Sequence, residues 1–209
     1  DSGIAAPSAN RFGRISPTTA AHVEQELGGR VDLILDGGPC QVGIESTILD
    51  LSRDEPEILR PGAITAEDIA GVIGRRPKVR GEAAAPAEET VDTPRVSGSL
   101  AAHYAPSTPL RLLPAALLVE EAAELAGEGS RVAVLAHGCA DPGDSRFTWI
   151  AAGADPAVYA HDLYAHLRAL DALGADFILV EAPPADPAWS AIADRLGRAA
   201  VGSGEADET

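Results

Sequence analysis

Residues 6–19, Ala-Pro-Ser-Ala-Asn-Arg-Phe-Gly-Arg-Ile-Ser-Pro-Thr-Thr, gather hydroxyls, one amide, two guanidinium groups and two prolines with little to bury. Pro7 restricts φ just ahead of Ser8, and Gly13 lets the chain turn where a side chain would obstruct it. Ser16 reads as an N-cap with Pro17 at the first helical position, which puts Thr18 and Thr19 in the first turn. Free N–H groups and the positive end of the helix dipole then face the loop, an arrangement suited to anions and to phosphate above all. Arg11 and Arg14 add charge; Ser8, Asn10 and Thr18 add neutral donors. The alternative is an ordinary surface loop ahead of a well-capped helix, because the glycine spacing of a P-loop is missing.

Three more places carry chemistry. Residues 43–52 alternate as a strand, with Ile44, Ser46, Ile48 and Asp50 on one face and Glu45, Thr47, Leu49 and Leu51 on the other. Ser46 interrupts its row, either as a buried hydroxyl satisfied by the sheet or as a ligand-facing hydroxyl at the sheet mouth. Arg60 closes a partner strand, Glu57-Ile58-Leu59-Arg60, that stops at Pro61-Gly62; it is a surface ion pair or a phosphate clamp, the latter suiting its planar fork. His103 and Tyr104, before Pro106, either anchor a tether to a domain surface or fold back over a ligand.

The elements that must position these residues divide the chain in two. Ile4-Ala5-Ala6 reads as a strand end, residues 17–27 as a helix closed by Gly28-Gly29, and Val31–Asp36 as a strand followed by a turn. Thr65 opens a helix with a box-like cap, running to about Ile73. Arg75, Arg76, Lys78 and Arg80 form a basic cluster, a solvated helix end and connector in preference to a binding patch. Residues 82–97 lose periodicity and read as a linker.

After Pro109 the pattern becomes regular α/β. A helix over 115–126 leads to strand 131–136, a short strand near 147–150, a helix over 157–173, strand 177–182 and a last helix opened by Asp186-Pro187. Leu163, Leu167 and Leu170 form one inward stripe, and Trp189, Ile192, Ala193 and Leu196 another. Strands alternating with helices favour a small parallel sheet. His137, His161 and His166 read as structural or surface residues, since no Cys/His/Asp cluster joins them. The loops of this half carry no convergent polar cluster, which favours a docking or regulatory role for it.

Composition excludes several classes. A formal net charge of −16 argues against holding nucleic acid by bulk field. Two distant cysteines, Cys40 and Cys139, imply neither a disulfide framework nor a metal site, and fit a reducing cytoplasm. No apolar run is long enough to span a bilayer. The chain has no methionine, even at its first position, so an N-terminal portion is expected to be lacking.

Taken together, Ala6-Pro7-Ser8-Ala9-Asn10 with Ser16-Pro17-Thr18, Glu45-Ser46-Thr47-Ile48, Leu59-Arg60-Pro61-Gly62 and His103-Tyr104-Ala105-Pro106 resemble the signature of the Sua5/YrdC/YciO family. The resemblance implies an α/β fold. Residues 1–81 would be the C-terminal part of a YrdC-like catalytic domain with a twisted mixed sheet, and 82–109 a linker that closes over the active site. Residues 110–202 would be a smaller, Rossmann-like parallel Sua5 domain, and 203–209 a disordered tail. The family makes L-threonylcarbamoyladenylate and pyrophosphate from ATP, bicarbonate and L-threonine, a nucleotidyl transfer that is the first step of the t6A modification of tRNA. By motif, Ser8 and Ser46 would bind L-threonine, and Asn10, Thr18, Arg60 and Tyr104 would bind ATP, with Mg²⁺ accompanying the nucleotide. The product would pass to a downstream t6A transferase complex. The alternative function is an RNA-binding module for double-stranded RNA or tRNA, against which the acidic balance weighs. Two departures stand out: the family's N-terminal Lys-Arg pair is absent, and Val96-Ser97-Gly98 replaces the Ser/Ala-Pro-Gly that many relatives carry before His-Tyr.

Overall fold

The computed structural model describes residues 2–3, 6–81, 96, 98 and 100–204. The strand end expected at Ile4-Ala5, most of the linker and residues 205–209 of the expected tail lie outside the described residues.

The C-terminal lobe follows its sequence closely. Strands β4 (Leu110–Leu113), β5 (Val132–Ala136), β6 (Phe147–Ala151) and β7 (Phe177–Glu181) form a parallel sheet in the order β4-β7-β5-β6. Such strands are covered on both faces, which is why β5 and β7 read as near-continuous apolar runs. Period-two alternation divides them. Val132, Val134, Ala136 and Leu179 pack on Leu118, Ala122 and Leu125 of α3 (Ala115–Gly127). Ala133, Leu135, Ile178 and Val180 pack on Tyr159, Leu163, Leu167 and Leu170 of α4 (Pro156–Asp171) and on Ile192, Leu196 and Ala199 of α5 (Ser190–Gly202). The Asp155 side chain caps α4 with Pro156 at its first position, and Asp186 caps the 3-10 turn Pro187–Trp189 ahead of α5. Ala193, expected inward, is exposed, and Arg195 takes the buried side of α5 instead. Ser203, expected in the tail, is bound by the chain: its hydroxyl accepts from the Leu110 N–H at 2.8 Å.

The N-terminal lobe departs further from expectation. Helix α1 spans Ala20–Leu27 and is capped by Thr19, whose hydroxyl accepts from the His22 N–H at 3.2 Å. Ser16 is therefore not the cap, and Thr18 lies ahead of the helix instead of in its first turn; the Ser16 hydroxyl is drawn to Glu45. Val31–Asp36 forms no strand, because no neighbour among the described residues completes a ladder, and Leu33 and Leu35 stand exposed. Only Ile48–Asp50 of the 43–52 segment is a strand, β1. It pairs antiparallel with β2 (Glu57–Arg60), which pairs parallel with β3 (Lys78–Val79), so this small sheet is mixed. Helix α2 (Ala66–Ile73) has the full capping box of Thr65 and Asp68. The basic cluster is laced to acidic neighbours: Arg76 to Glu67 at 2.9 Å, Lys78 to Glu55 and Arg80 to Glu57 at 3.6 Å.

The two lobes share a core. Ile15 and Tyr104 are buried in the same apolar cluster as the sheet face covered by α4 and α5.

Candidate functional site

The site is assembled where the N-terminal lobe meets α4 and α5. Segment 43–47 is irregular because its hydrogen-bonding capacity is taken from the side. Arg60, at the end of β2, donates to the Ser46 carbonyl through Nε at 3.0 Å and Nη2 at 2.9 Å, and lies 3.4 Å from the Ser46 hydroxyl. Ser46 itself is exposed, and the hydrogen bond its hydroxyl accepts comes from Arg60. Gly62, two residues after Arg60, explains its place in Leu-Arg-Pro-Gly: a Cβ there would stand 2.4 Å from the Thr47 nitrogen and 2.8 Å from the Glu45 carbonyl oxygen.

Glu45 is the hub. Its Oε1 accepts from the Ser16 hydroxyl at 2.6 Å. Its Oε2 accepts from the Tyr164 hydroxyl at 2.8 Å and from Arg195 Nε at 2.9 Å. Arg195 also pairs with Asp194 at 2.6 Å, and its side chain is wholly buried. Burial pushes the Glu45 carboxyl up, but the adjacent Arg195 guanidinium and the Ser16 and Arg195 hydrogen bonds outweigh it and hold the group below the usual carboxylate range. Burial, then the nearby Glu45 charge, pushes the Tyr164 hydroxyl well up, so it remains a donor. A carboxyl lowered on folding stabilises the fold above its ordinary pKa, and that contribution is lost as pH falls through the lowered value. Acid unfolding followed by urea titration is therefore expected to show a stability loss below about pH 4 that Glu45→Gln flattens.

Tyr104 joins the same cluster from the His-Tyr-Ala-Pro segment. It is the one non-glycine with positive φ among the described residues, at 61°, a strained setting for a bulky side chain. Its ring stacks on Tyr164 with centroids 5.7 Å apart, and the Arg195 guanidinium carbon lies 5.2 Å from its centroid. Gly98 makes this possible, since a Cβ there would fall 2.0 Å from the Tyr104 hydroxyl oxygen and 3.4 Å from Arg60 Cδ. The segment is tied to the first loop by Ala105, whose N–H donates to the Gly13 carbonyl at 2.8 Å.

Asn10 braces that loop by donating to the Arg11 and Arg14 carbonyls at 2.8 and 3.1 Å. Its Oδ1 is buried without a partner among the described residues, as are the Tyr104 hydroxyl and His103 Nδ1. Orphaned acceptors and donors clustered in one region mark a place that a polar ligand can complete.

The structure thus brings Ser46, Arg60 and Tyr104 together, with Asn10 on the adjoining loop. Ser8 is exposed in that loop, with no hydrogen bond to the cluster among the described residues. Thr18 stands apart. Its N–H donates to His22 Nδ1 at 3.2 Å, so the amide expected to meet phosphate is occupied by a ring. Burial and then Arg168 push His22 down, keeping that ring a neutral acceptor at pH 7.

Glu45, Tyr164 and Arg195 were not among the sequence candidates. Glu45 sat in the motif beside Ser46, but nothing near it in the chain showed what it would bind. Of the three histidines of the second half, His161 is exposed and bonds Asp162 at 2.6 Å, His166 is half-buried, and His137 Nε2 lies 3.2 Å from the Ala182 carbonyl oxygen. Contrary to expectation, the loops of this lobe do hold a polar cluster. The buried Glu181 carboxylate accepts from the N–H groups of His137, Gly138 and Cys139 at 2.9, 2.8 and 3.0 Å. It fills its own anion nest at the carboxyl ends of β5 and β7.

Comparison with known proteins identifies the family. The family described as threonylcarbamoyl-AMP synthase, C-terminal domain, matches residues 64–201, and the family described as telomere recombination (Sua5/YciO/YrdC) matches residues 1–62. The threonylcarbamoyl-AMP synthase of Pyrococcus abyssi is 34% identical over 94% of this chain and 57% of its own length. That of Schizosaccharomyces pombe is 36% identical over 96% of this chain and 52% of its own. The crystal structure of P. abyssi Sua5 complexed with L-threonine superposes with a TM-score of 0.77 and 32% identity, covering 94% of this chain and 57% of that one. The chain spans little more than half the length of these relatives.

Proposed function

Since the chain belongs to the Sua5/YrdC/YciO family, we propose that it carries the L-threonine and nucleotide contacts of a threonylcarbamoyl-AMP synthase. The observation that carries this reading is the hydroxyl of the exposed residue Ser46 beside the Arg60 guanidinium, with the Tyr104 hydroxyl, which has no hydrogen-bond partner among the described residues, beside Gly98. Ser46 and Ser8 hold L-threonine through hydroxyl contacts. Arg60 neutralises phosphate charge, and Asn10, Thr18 and Tyr104 bind the nucleotide, Thr18 by exchanging its His22 contact for the ligand. The threonine amine attacks CO₂ derived from bicarbonate and loses a proton to give a carbamate. A carbamate oxygen then attacks the α-phosphorus, and the bond to pyrophosphate breaks. Such a reaction gains most from positioning and from fixed positive charge.

Magnesium would arrive with the triphosphate. Among the described residues no group of three His, Cys, Asp or Glu side chains is placed to hold a metal ion, and the Glu45 carboxylate is fully engaged. The product would pass to a downstream t6A transferase complex. For direct RNA binding, the basic cluster offers little field, since Arg76, Lys78 and Arg80 are paired with Glu67, Glu55 and Glu57. No helix among the described residues is long and apolar enough to cross a membrane.

The test is mass detection of threonylcarbamoyl-AMP from Mg-ATP, bicarbonate and L-threonine, with the chain alone and fused to the part of a relative that it does not span. Product in either form is expected, and Ser46→Ala should weaken L-threonine binding by about tenfold. No product in both forms, with no L-threonine binding by calorimetry, overturns the reading.

A further inference from the structure

Arg195 and Tyr164 lie on the helices of the C-terminal lobe, away from every motif of the proposed site, yet both end on Glu45. Arg195 Nε and the Tyr164 hydroxyl reach the same carboxylate oxygen, while Arg195 Nη2 lies 3.4 Å from the Glu45 carbonyl. Arg60 holds the next carbonyl, that of Ser46, from the N-terminal lobe. The 45–46 backbone is therefore gripped from two directions, and the direction of the Ser46 hydroxyl is set between them. The same two C-terminal side chains also touch the Tyr104 ring, Tyr164 by stacking and Arg195 by its guanidinium. Ser46 and Tyr104 come from distant segments, and these contacts bring both under the control of one lobe.

We infer that Arg195 and Tyr164 are positioning residues for L-threonine binding, so that the docked C-terminal lobe sets substrate affinity through Glu45 and Tyr104. The inference rests on the reading of Ser46 as a threonine contact. It assigns the C-terminal lobe a role exercised through the faces of α4 and α5, not through its βα loops. An ionised Glu45 accepts strong, charge-assisted bonds from fixed donors, and removing one leaves the carboxylate free to pull the 45–46 peptide out of line.

Tyr164→Phe removes one hydroxyl and keeps the ring that stacks on Tyr104. Tyr159→Phe is the matched control: its hydroxyl is equally buried in α4 but has no hydrogen-bond partner among the described residues. Calorimetry with L-threonine on the 209-residue chain, with amide exchange at residues 44–47, separates the outcomes. Tyr164→Phe is expected to raise the Kd about tenfold and speed exchange at these amides, while Tyr159→Phe changes neither. Arg195→Lys, which keeps the charge but loses the fork, should fall between wild type and Arg195→Gln. Faster exchange with unchanged Kd in Tyr164→Phe would overturn the inference, because the contacts would then be structural only. Equal losses in both Phe variants would overturn it as well. Absent binding by the unsubstituted chain is a different failure, that of the threonine reading itself, and takes the inference with it.

Discussion

Arg195→Met is expected to lower the unfolding free energy by roughly 3–5 kcal/mol. The native side chain is fully buried and meets Glu45, Asp194 and the Tyr104 ring at once. Methionine fills similar space and keeps an apolar contact with the ring, so what is lost is the ionic partner. Glu45, whose side chain is only 17% exposed, would then hold its charge on two hydroxyl donors. Desolvation of an unpaired charge costs far more than a surface ion pair contributes, which places this substitution well above the usual range. Urea unfolding monitored by far-UV circular dichroism measures the effect. The double variant Arg195→Met/Glu45→Gln should recover part of the loss, since no charge is then stranded. A loss below about 1 kcal/mol in the single variant would mean that Glu45 is solvated in solution.

Gly43→Ala is expected to cost on the order of 3 kcal/mol and to release segment 38–46 from α4. Gly43 adopts φ 82°, and a Cβ there would fall 2.1 Å from the His161 carbonyl oxygen and 2.5 Å from the His161 Cα. Both obstacles are helix backbone, so no side-chain rotation relieves the contact. Gly13→Ala provides the comparison: φ is 75°, but nothing lies within 4 Å of its added Cβ. That variant should cost only the left-handed strain, roughly 1–2 kcal/mol. The difference between the two, read from thermal or urea unfolding, isolates the lobe contact; equal losses would show that α4 does not press on the loop.

These two residues also show where sequence reading stops. The strands and helices of the C-terminal lobe were legible because each is determined within its own span. Apolar runs announce strands buried on both faces, and Asp155-Pro156 and Asp186-Pro187 announce helix starts through contacts two or three residues away. Val31–Asp36 failed for the opposite reason: β-branched and apolar residues suit a strand, but a strand needs a neighbour, and the described residues supply none. Ser16 had every local mark of a cap, but its hydroxyl is bonded to Glu45, 29 residues on, and Thr19 caps the helix instead.

The sequence by itself determined the family, the parallel sheet, the caps at Thr65, Asp155 and Asp186, and the identity of Ser46, Arg60 and Tyr104 as a group worth watching. Local pattern and motif order suffice for those, since both are written in short stretches of chain. Only the tertiary structure decided that Arg60 grips Ser46, that His22 occupies the Thr18 amide, and that Glu45 is held by Tyr164 and Arg195, 119 and 150 residues away. A hydrogen bond forms over about 3 Å of space whatever the separation in sequence, and no local pattern encodes which distant donor will arrive.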